Sequence, residues 1–299
     1  MSNVVKNEVH AEKGLRAMSL EANEQGLYSK KFMIESTSIC NLKCPLCPVP
    51  HNLHRQTGHM QPHTFKDVID DIAGYAKKMD LWNFGEPFLN PNIFEMIKYA
   101  TDRKIKVRVS TNSTFLGEEE IEKVFWSNLS SIIVCLDGAS KQTHERYRIG
   151  SEFEKVVEGI SKLAGRKRAL GRALPFIRLQ FIVFSYNEHE IDDIVAMAER
   201  MQVDQLALKN VSLGTWIDAE KRKKIAKKLL PKNDKYQKYV VKGDLLEIKI
   251  QDKACSWAYE NGVVLSNGDV TTCCYDGSGK HSFANIHRDG GLTNILKSA

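Results

Sequence analysis

Between Lys31 and about Val211, short runs of β-branched and aromatic residues alternate with longer stretches in which apolar positions recur every three to four residues. The short runs are Phe32 to Ser36, Leu81 to Phe84, Lys106 to Thr111, Ser131 to Leu136, Ile177 to Phe184 and Gln205 to Lys209, and they predict six strands. The most regular longer stretch is Thr64 to Met79, where Phe65, Val68, Ile69, Ile72, Ala76 and Met79 share one helical face. Asn92 to Thr101, Glu118 to Trp126, Glu154 to Leu170 and Glu188 to Met201 repeat the pattern less strictly. Alternation of this kind builds a parallel sheet covered by helices. Six units fall short of the eight that close a barrel, so the expected architecture is α/β: a partial (β/α)6 TIM-like barrel with functional loops at the C-terminal ends of its strands.

After Val211 the rhythm breaks. A charged helical connector is expected over 212–244, centred on Asp218 to Leu230 and stopped by Pro231. Beyond it, Gly262 to Leu265 and Asp269 to Thr272 flank Ser266-Asn267-Gly268, a strong hairpin signal. The predicted organisation is a polar extension (1–30), a barrel core (31–211), the connector, and a small auxiliary domain containing a β-hairpin (245–299).

Composition narrows the partners. A formal net charge of +6 over 299 residues is mild, and the basic residues gather in two helical stretches, Lys162 to Arg172 and Lys221 to Lys228. Solvated helix faces account for such stretches more simply than an acidic or nucleic-acid partner does. No apolar run is long enough to span a bilayer and 1–30 lacks a secretory segment, so a cytoplasmic protein without a membrane partner is expected. Seven cysteines in that compartment point to metal ligands or buried small side chains rather than disulfides.

The chemistry starts where the first strand ends. Cys40, Cys44 and Cys47 are spaced by three and then two residues, and such thiolates can converge on one soft metal centre. Three cysteine ligands leave one iron of a 4Fe-4S cube open to a non-protein ligand. A structural zinc is the alternative, with a fourth ligand from His51, His54, His59 or His63.

Further motifs follow in order. Asn83-Phe84-Gly85-Glu86-Pro87 comes after the second strand, Ser110-Thr111-Asn112 ends the third, Val134-Cys135-Leu136-Asp137-Gly138 ends the fourth, and His144-Glu145-Arg146-Tyr147-Arg148 comes next. With the cysteine run, this series resembles the radical S-adenosylmethionine (radical SAM) superfamily. The resemblance implies that Cys40, Cys44 and Cys47 bind a 4Fe-4S cluster whose open iron is chelated by the amino and carboxylate groups of SAM. The reduced cluster would split SAM to a 5′-deoxyadenosyl radical that removes a hydrogen atom from substrate. It further implies that Gly85 and Glu86 receive the SAM ammonium, that Ser110 and Asn112 line the cofactor site, and that Arg148 pairs with the SAM carboxylate. Phe84 stands where relatives usually have glycine, and Cys135 stands where they commonly have serine; a buried small side chain is the simpler reading of Cys135. No single catalytic residue is identified. Arg55, Gly58 and Met60 resemble an Arg-x-x-Gly-x-Met pattern, read as a lid over the cluster loop.

The C-terminal segment resembles the opening of SPASM and Twitch auxiliary domains: Cys255, twelve residues, Gly268, four residues, Cys273. Cys255, Cys273 and Cys274 are therefore candidates for a second cluster, although a strand would point Cys273 and Cys274 to opposite faces. Relatives carry further cysteines beyond this point, so a shortened and incomplete auxiliary site is expected; the alternatives are a cluster on Cys255, Cys273 and Cys274 whose remaining ligand is substrate, solvent or another residue, and a metal-free hairpin. The resemblance implies a small-molecule or peptide substrate and an electron donor such as flavodoxin or ferredoxin. Oxidation of a small carbohydrate-like alcohol is the first expectation. Maturation of a ribosomal peptide or protein side chain is the alternative within enzymes, and a non-catalytic metal-binding module the alternative outside them.

Overall fold

The computed structural model describes residues 31–51, 55–214, 216–242, 245–249 and 261–298. Six parallel strands lie side by side in chain order: β1 (Lys31–Ile34), β2 (Lys78–Asp80), β3 (Lys106–Thr111), β4 (Ser131–Cys135), β5 (Phe176–Val183) and β6 (Gln205–Asn210). Between them run α1 (Pro62–Ile72), α2 (Ile93–Asp102), α3 (Glu118–Trp126), the pair α4 (Lys141–Tyr147) and α5 (Phe153–Ala169), and α6 (Ile191–Met201). Among the described residues β6 pairs only with β5, so the barrel is open. Phe32, Ile34, Val107, Val109, Leu179 and Phe181 are fully buried, as a sheet covered by helices requires.

Two expectations fail at the same place. The second strand is Lys78–Asp80, not Leu81 to Phe84, and α1 ends at Ile72 instead of reaching Met79. The amides of Tyr75 and Ala76 both return to the Ile72 carbonyl (3.1 and 2.8 Å), which ends the helix, and Met79 is buried in the sheet. Lys-Met-Asp reads as polar surface, yet Asp80 is buried because its charge is paired across the sheet. Arg108 on β3 grips it with two bonds of 2.9 and 2.8 Å, and Lys31 on β1 lies at 3.3 Å. Leu81 to Phe84 instead form the exit loop.

The connector helix α7 (Ala219–Leu229) is capped by Asp218, whose carboxylate accepts from the Lys221 amide at 2.9 Å. A separate antiparallel ribbon follows, β7 (Tyr239–Lys242) with β8 (Leu245–Ile248). The C-terminal hairpin does not stand apart. Its first strand, β9 (Asn261–Val264), runs parallel along the free edge of β1, while β10 (Asp269–Thr271) and β11 (Ala284–Asn285) extend the sheet to nine strands. Gly268, at φ +87°, makes the turn. The last helix, α8 (Leu292–Ser298), docks on α1: Thr293 donates its amide to Asp71 (2.7 Å) and its hydroxyl meets the Tyr75 hydroxyl at 2.9 Å. Val264, Val270, Leu292 and Ile295 share one apolar core with Phe32, Ile69 and Ile72. Among the described residues no helix is long and apolar enough to cross a membrane. The polar extension 1–30 and Cys255 lie outside the described residues.

Candidate functional site

The site assembles at the C-terminal ends of β1 to β4. Leaving β1, the chain is held by a bridge to a later segment: the Ser38 amide donates to the Gly58 carbonyl (3.0 Å) and the Gly58 amide returns to the Ser38 hydroxyl (2.9 Å). Cys40 and Cys47 are half-buried and Cys44 is buried, with a turn closed by the Cys47 amide on the Cys44 carbonyl at 3.0 Å. Each sulfur faces a donor. The Leu42 amide lies 3.4 Å from the Cys40 sulfur, the Val49 amide points at Cys47, and the Arg148 guanidinium points at Cys44. Burial pushes all three thiols up, Cys47 to about 12. Donors aimed at sulfur suit thiolates, and thiolates at this depth need a bound cation to offset the loss of water.

The donor set therefore fits an iron-sulfur cluster. Among the described residues no three His, Cys, Asp or Glu side chains form a group able to hold a single metal ion. Of the nearby histidines, two have partners of their own. His51 meets the Pro45 carbonyl at 2.7 Å, His63 faces the His287 ring, and the buried Nδ1 of His59 has no partner. His54 lies outside the described residues.

Gly85 and Glu86 join β2 to the cysteine loop. Gly85 adopts φ +87°, and a Cβ there would overlap the Thr37 carbonyl and come within 2.9 Å of that of Ile39. The next amide, Glu86, donates to the Ile39 carbonyl at 2.8 Å. The Glu86 carboxylate is buried and accepts from the Thr111 hydroxyl (2.8 Å), the Asn112 amide (2.7 Å) and the Phe88 amide (3.1 Å). Burial raises its pKa to about 7, against the lowering effect of those bonds and of Arg148. A carboxylate held this way gains from a cation placed beside it.

Asn112 sits beside the first cysteine: its Nδ2 donates to Asn41 (2.9 Å) and lies 3.8 Å from the Cys40 sulfur, while its Oδ1 accepts from Thr114. Ser110 is turned toward β4, its hydroxyl 3.9 Å from the Cys135 sulfur. Cys135 is buried, and burial raises its thiol to about 11, in keeping with a packing role. Arg148 is nearly buried and its Nε donates to Asp137 at 2.6 Å. Asp137 also accepts the Ile182 amide (2.7 Å), and the Asp137 amide donates to Nδ1 of the buried His144. His144 therefore carries its proton on Nε2, toward Ser151 (3.0 Å), and burial lowers its pKa to about 4. Asn41 and Asp137 were not singled out as site residues from sequence, since nothing marks either beyond its place next to a motif residue.

Arg55 is not on a lid. It is buried and grips Glu35 with two bonds of 2.7 and 2.6 Å, while its Nε donates to the Gly277 carbonyl (2.6 Å) and its Nη1 to the Ser266 hydroxyl (3.2 Å). Met60 is likewise core. The segment reads as a lid because it is polar and rich in histidine, but its arginine faces an acid at the end of β1. Of the auxiliary candidates, Cys273 is exposed and Cys274 half-buried against Met33, Val263 and Leu265. Both follow β10, in the turn closed by the Asp276 amide on the Cys273 carbonyl.

A family model described as the radical SAM superfamily matches residues 34–198, and one described as an iron-sulfur cluster-binding domain, SPASM, matches residues 255–299. The AdoMet-dependent heme synthase of Methanosarcina barkeri is 32% identical over 130 residues, covering 43% of this chain and 37% of that protein. The mycofactocin maturase MftC of Mycobacterium ulcerans is 27% identical over 166 residues, covering 56% of this chain and 43% of that protein. The chain thus spans less than half the length of these curated relatives. Among solved structures, Streptococcus suis SuiB bound to precursor peptide SuiA superposes with a TM-score of 0.65 at 14% identity, covering 90% of this chain and 64% of that one, which establishes likeness of fold.

Proposed function

Since the chain belongs to the radical SAM superfamily, we propose that it modifies a side chain of a peptide or protein by hydrogen-atom abstraction. A 4Fe-4S cluster on Cys40, Cys44 and Cys47 supplies the electron that splits SAM. The observation that carries the reading is the buried Glu86 carboxylate, bonded to the end of β3 and seated on the cysteine loop through Gly85, with room in its charge for a cation. Gly85 and Glu86 receive the SAM ammonium, Asn112 and Ser110 line the cofactor, and Arg148 turns the guanidinium edge left after its bond to Asp137 toward the SAM carboxylate. Cys255, Cys273 and Cys274 are the candidate ligands of an auxiliary cluster, as the SPASM match supports.

A peptide or protein substrate replaces the small alcohol as first choice because one relative is a maturase, and the shared fold with SuiB, whose structure holds a precursor peptide, is compatible with it. The test is anaerobic reconstitution with iron and sulfide, then SAM and dithionite, with and without any short peptide that the neighbouring genes prove to encode. Formation of 5′-deoxyadenosine and a peptide mass change support the reading. No 5′-deoxyadenosine above background would sink the chemistry, and turnover confined to sugar alcohols would sink the substrate class. Arg148→Ala is expected to weaken SAM binding while the cluster still assembles, read by titration against the cluster spectrum.

A further inference from the structure

One segment carries the net charge of the whole chain. Asp218 to Lys249 holds eleven lysines and arginines against five aspartates and glutamates, an excess of six, equal to the formal +6 of all 299 residues. This segment lies beside the cluster loop. Ile225, Ala226 and Leu229 of α7 belong to the same apolar cluster as Leu42, Cys44 and Leu46. Just before α7, the Trp216 indole donates to the Leu46 carbonyl at 3.2 Å. The far end is fixed to the β5 exit, where Ser185 donates its amide to the Leu229 carbonyl (3.0 Å) and its hydroxyl to that of Lys228 (2.6 Å). One face of α7 therefore packs into the apolar cluster that also holds Leu42, Cys44 and Leu46 of the cysteine loop, while Lys221, Lys224, Lys227 and Lys228 are exposed.

The other basic stretch differs. On α5, Lys162 pairs with Glu158 (2.9 Å), Arg166 with Glu122 (2.6 Å) and Lys167 with Asp204 (2.5 Å). On α7 the ion pair is Lys223 with Glu220 at 3.8 Å, and among the described residues no carboxylate pairs with Lys224, Lys227 or Lys228. Like charges three and four residues apart on a helix repel one another. Beyond Glu220 in the first turn, the exposed positions of α7 are all lysines.

We propose that the exposed face of α7 docks a small acidic one-electron carrier protein, which delivers its electron to the cluster in the loop beneath. The inference rests on the radical SAM reading above, which requires one electron from outside for each SAM split: the carrier is oxidised by one electron and the cluster reduced by one. A single-sign face steers an oppositely charged partner and fixes its approach.

The experiment uses the reconstituted enzyme and reduced flavodoxin, with dithionite as a small reductant that needs no docking. In the triple variant Lys224→Glu, Lys227→Glu, Lys228→Glu, flavodoxin-driven 5′-deoxyadenosine formation is expected to fall about tenfold or more and to lose its decline with added salt. The dithionite-driven rate should stay within about twofold of wild type, and calorimetric titration with oxidised flavodoxin should show Kd raised about tenfold. Unchanged flavodoxin binding and rate would overturn the proposal, as would a variant that loses only RNA or acidic-peptide binding. If the charge reversal also lowers the dithionite rate, the milder Lys→Gln triple variant decides: a flavodoxin Kd unmoved there counts against docking. Absence of 5′-deoxyadenosine with dithionite in wild type is the separate failure of the underlying chemistry.

Discussion

At the scale of single residues, Gly85 is the least replaceable position in the site. It combines a left-handed backbone with a carbonyl where a Cβ would go, and both contacts are backbone atoms that cannot swing aside. Gly85→Ala is expected to cost about 2–4 kcal/mol, read as a lower urea midpoint, and to reduce iron loading because the cysteine loop is what it displaces. Two neighbouring groups give opposite pH dependences. Burial lifts Glu86 to about 7 in the folded state from an ordinary 4.5, so the folded state holds a proton the unfolded state has lost, and stability falls as pH rises from about 4.5 through 7. His144 titrates at about 4 folded against 6.5, so its contribution is lost as pH falls from about 6.5 to 4. Each effect is of order 3 kcal/mol and they oppose one another near pH 5–6. Glu86→Gln should therefore gain on wild-type apoprotein steadily between pH 4.5 and 7.5 in paired urea titrations, despite a fixed deficit from the Asn112 amide it leaves unpaired. A constant difference across that range would refute the assignment.

At the scale of elements, the regular stretches were readable because burial alternates as their periodicity requires: α3, β3 and the Asn-Gly hairpin fall on or within a residue of their predicted spans. The second strand was not, because its core face depends on Asp80 meeting Arg108 and Lys31, and a charge pair across strands leaves no trace in local periodicity. Arg55 shows the same limit. Its pattern was visible, but the acid that fixes it is Glu35, and its other partners, Ser266 and Gly277, come from the far end of the sequence. The cysteine triplet and Gly-Glu-Pro were legible as chemistry, being local, whereas the donors aimed at each sulfur come from several elements. Removing one member of a buried ion pair strands the other, so Arg55→Ala is expected to cost about 3–5 kcal/mol, whereas Arg55→Met with Glu35→Gln should recover part of it. Amide hydrogen exchange would localise the loss: β9 and β10 should lose protection more than β4 and β5.

At the scale of the whole molecule, α7 shares an apolar cluster with the cysteine loop, and Arg55 ties the segment after that loop to the C-terminal hairpin. Iron counts on reconstituted protein separate the two cysteine groups. In a Cys40→Ala, Cys44→Ala, Cys47→Ala triple variant, loss of about four irons with others retained would place a second cluster on the C-terminal cysteines, and complete loss would leave that segment without one. The pairing of β1 with β9 also sets an order of events during synthesis. Strand β1 emerges among the first described residues, but the neighbour that covers its outer edge is translated roughly 230 residues later. Until β9 is made, Phe32 and Ile34 sit on a strand with open hydrogen-bonding groups on that edge, the arrangement most prone to pairing with another chain. A stop codon placed just before β9 should therefore yield inclusion bodies in place of a smaller folded barrel.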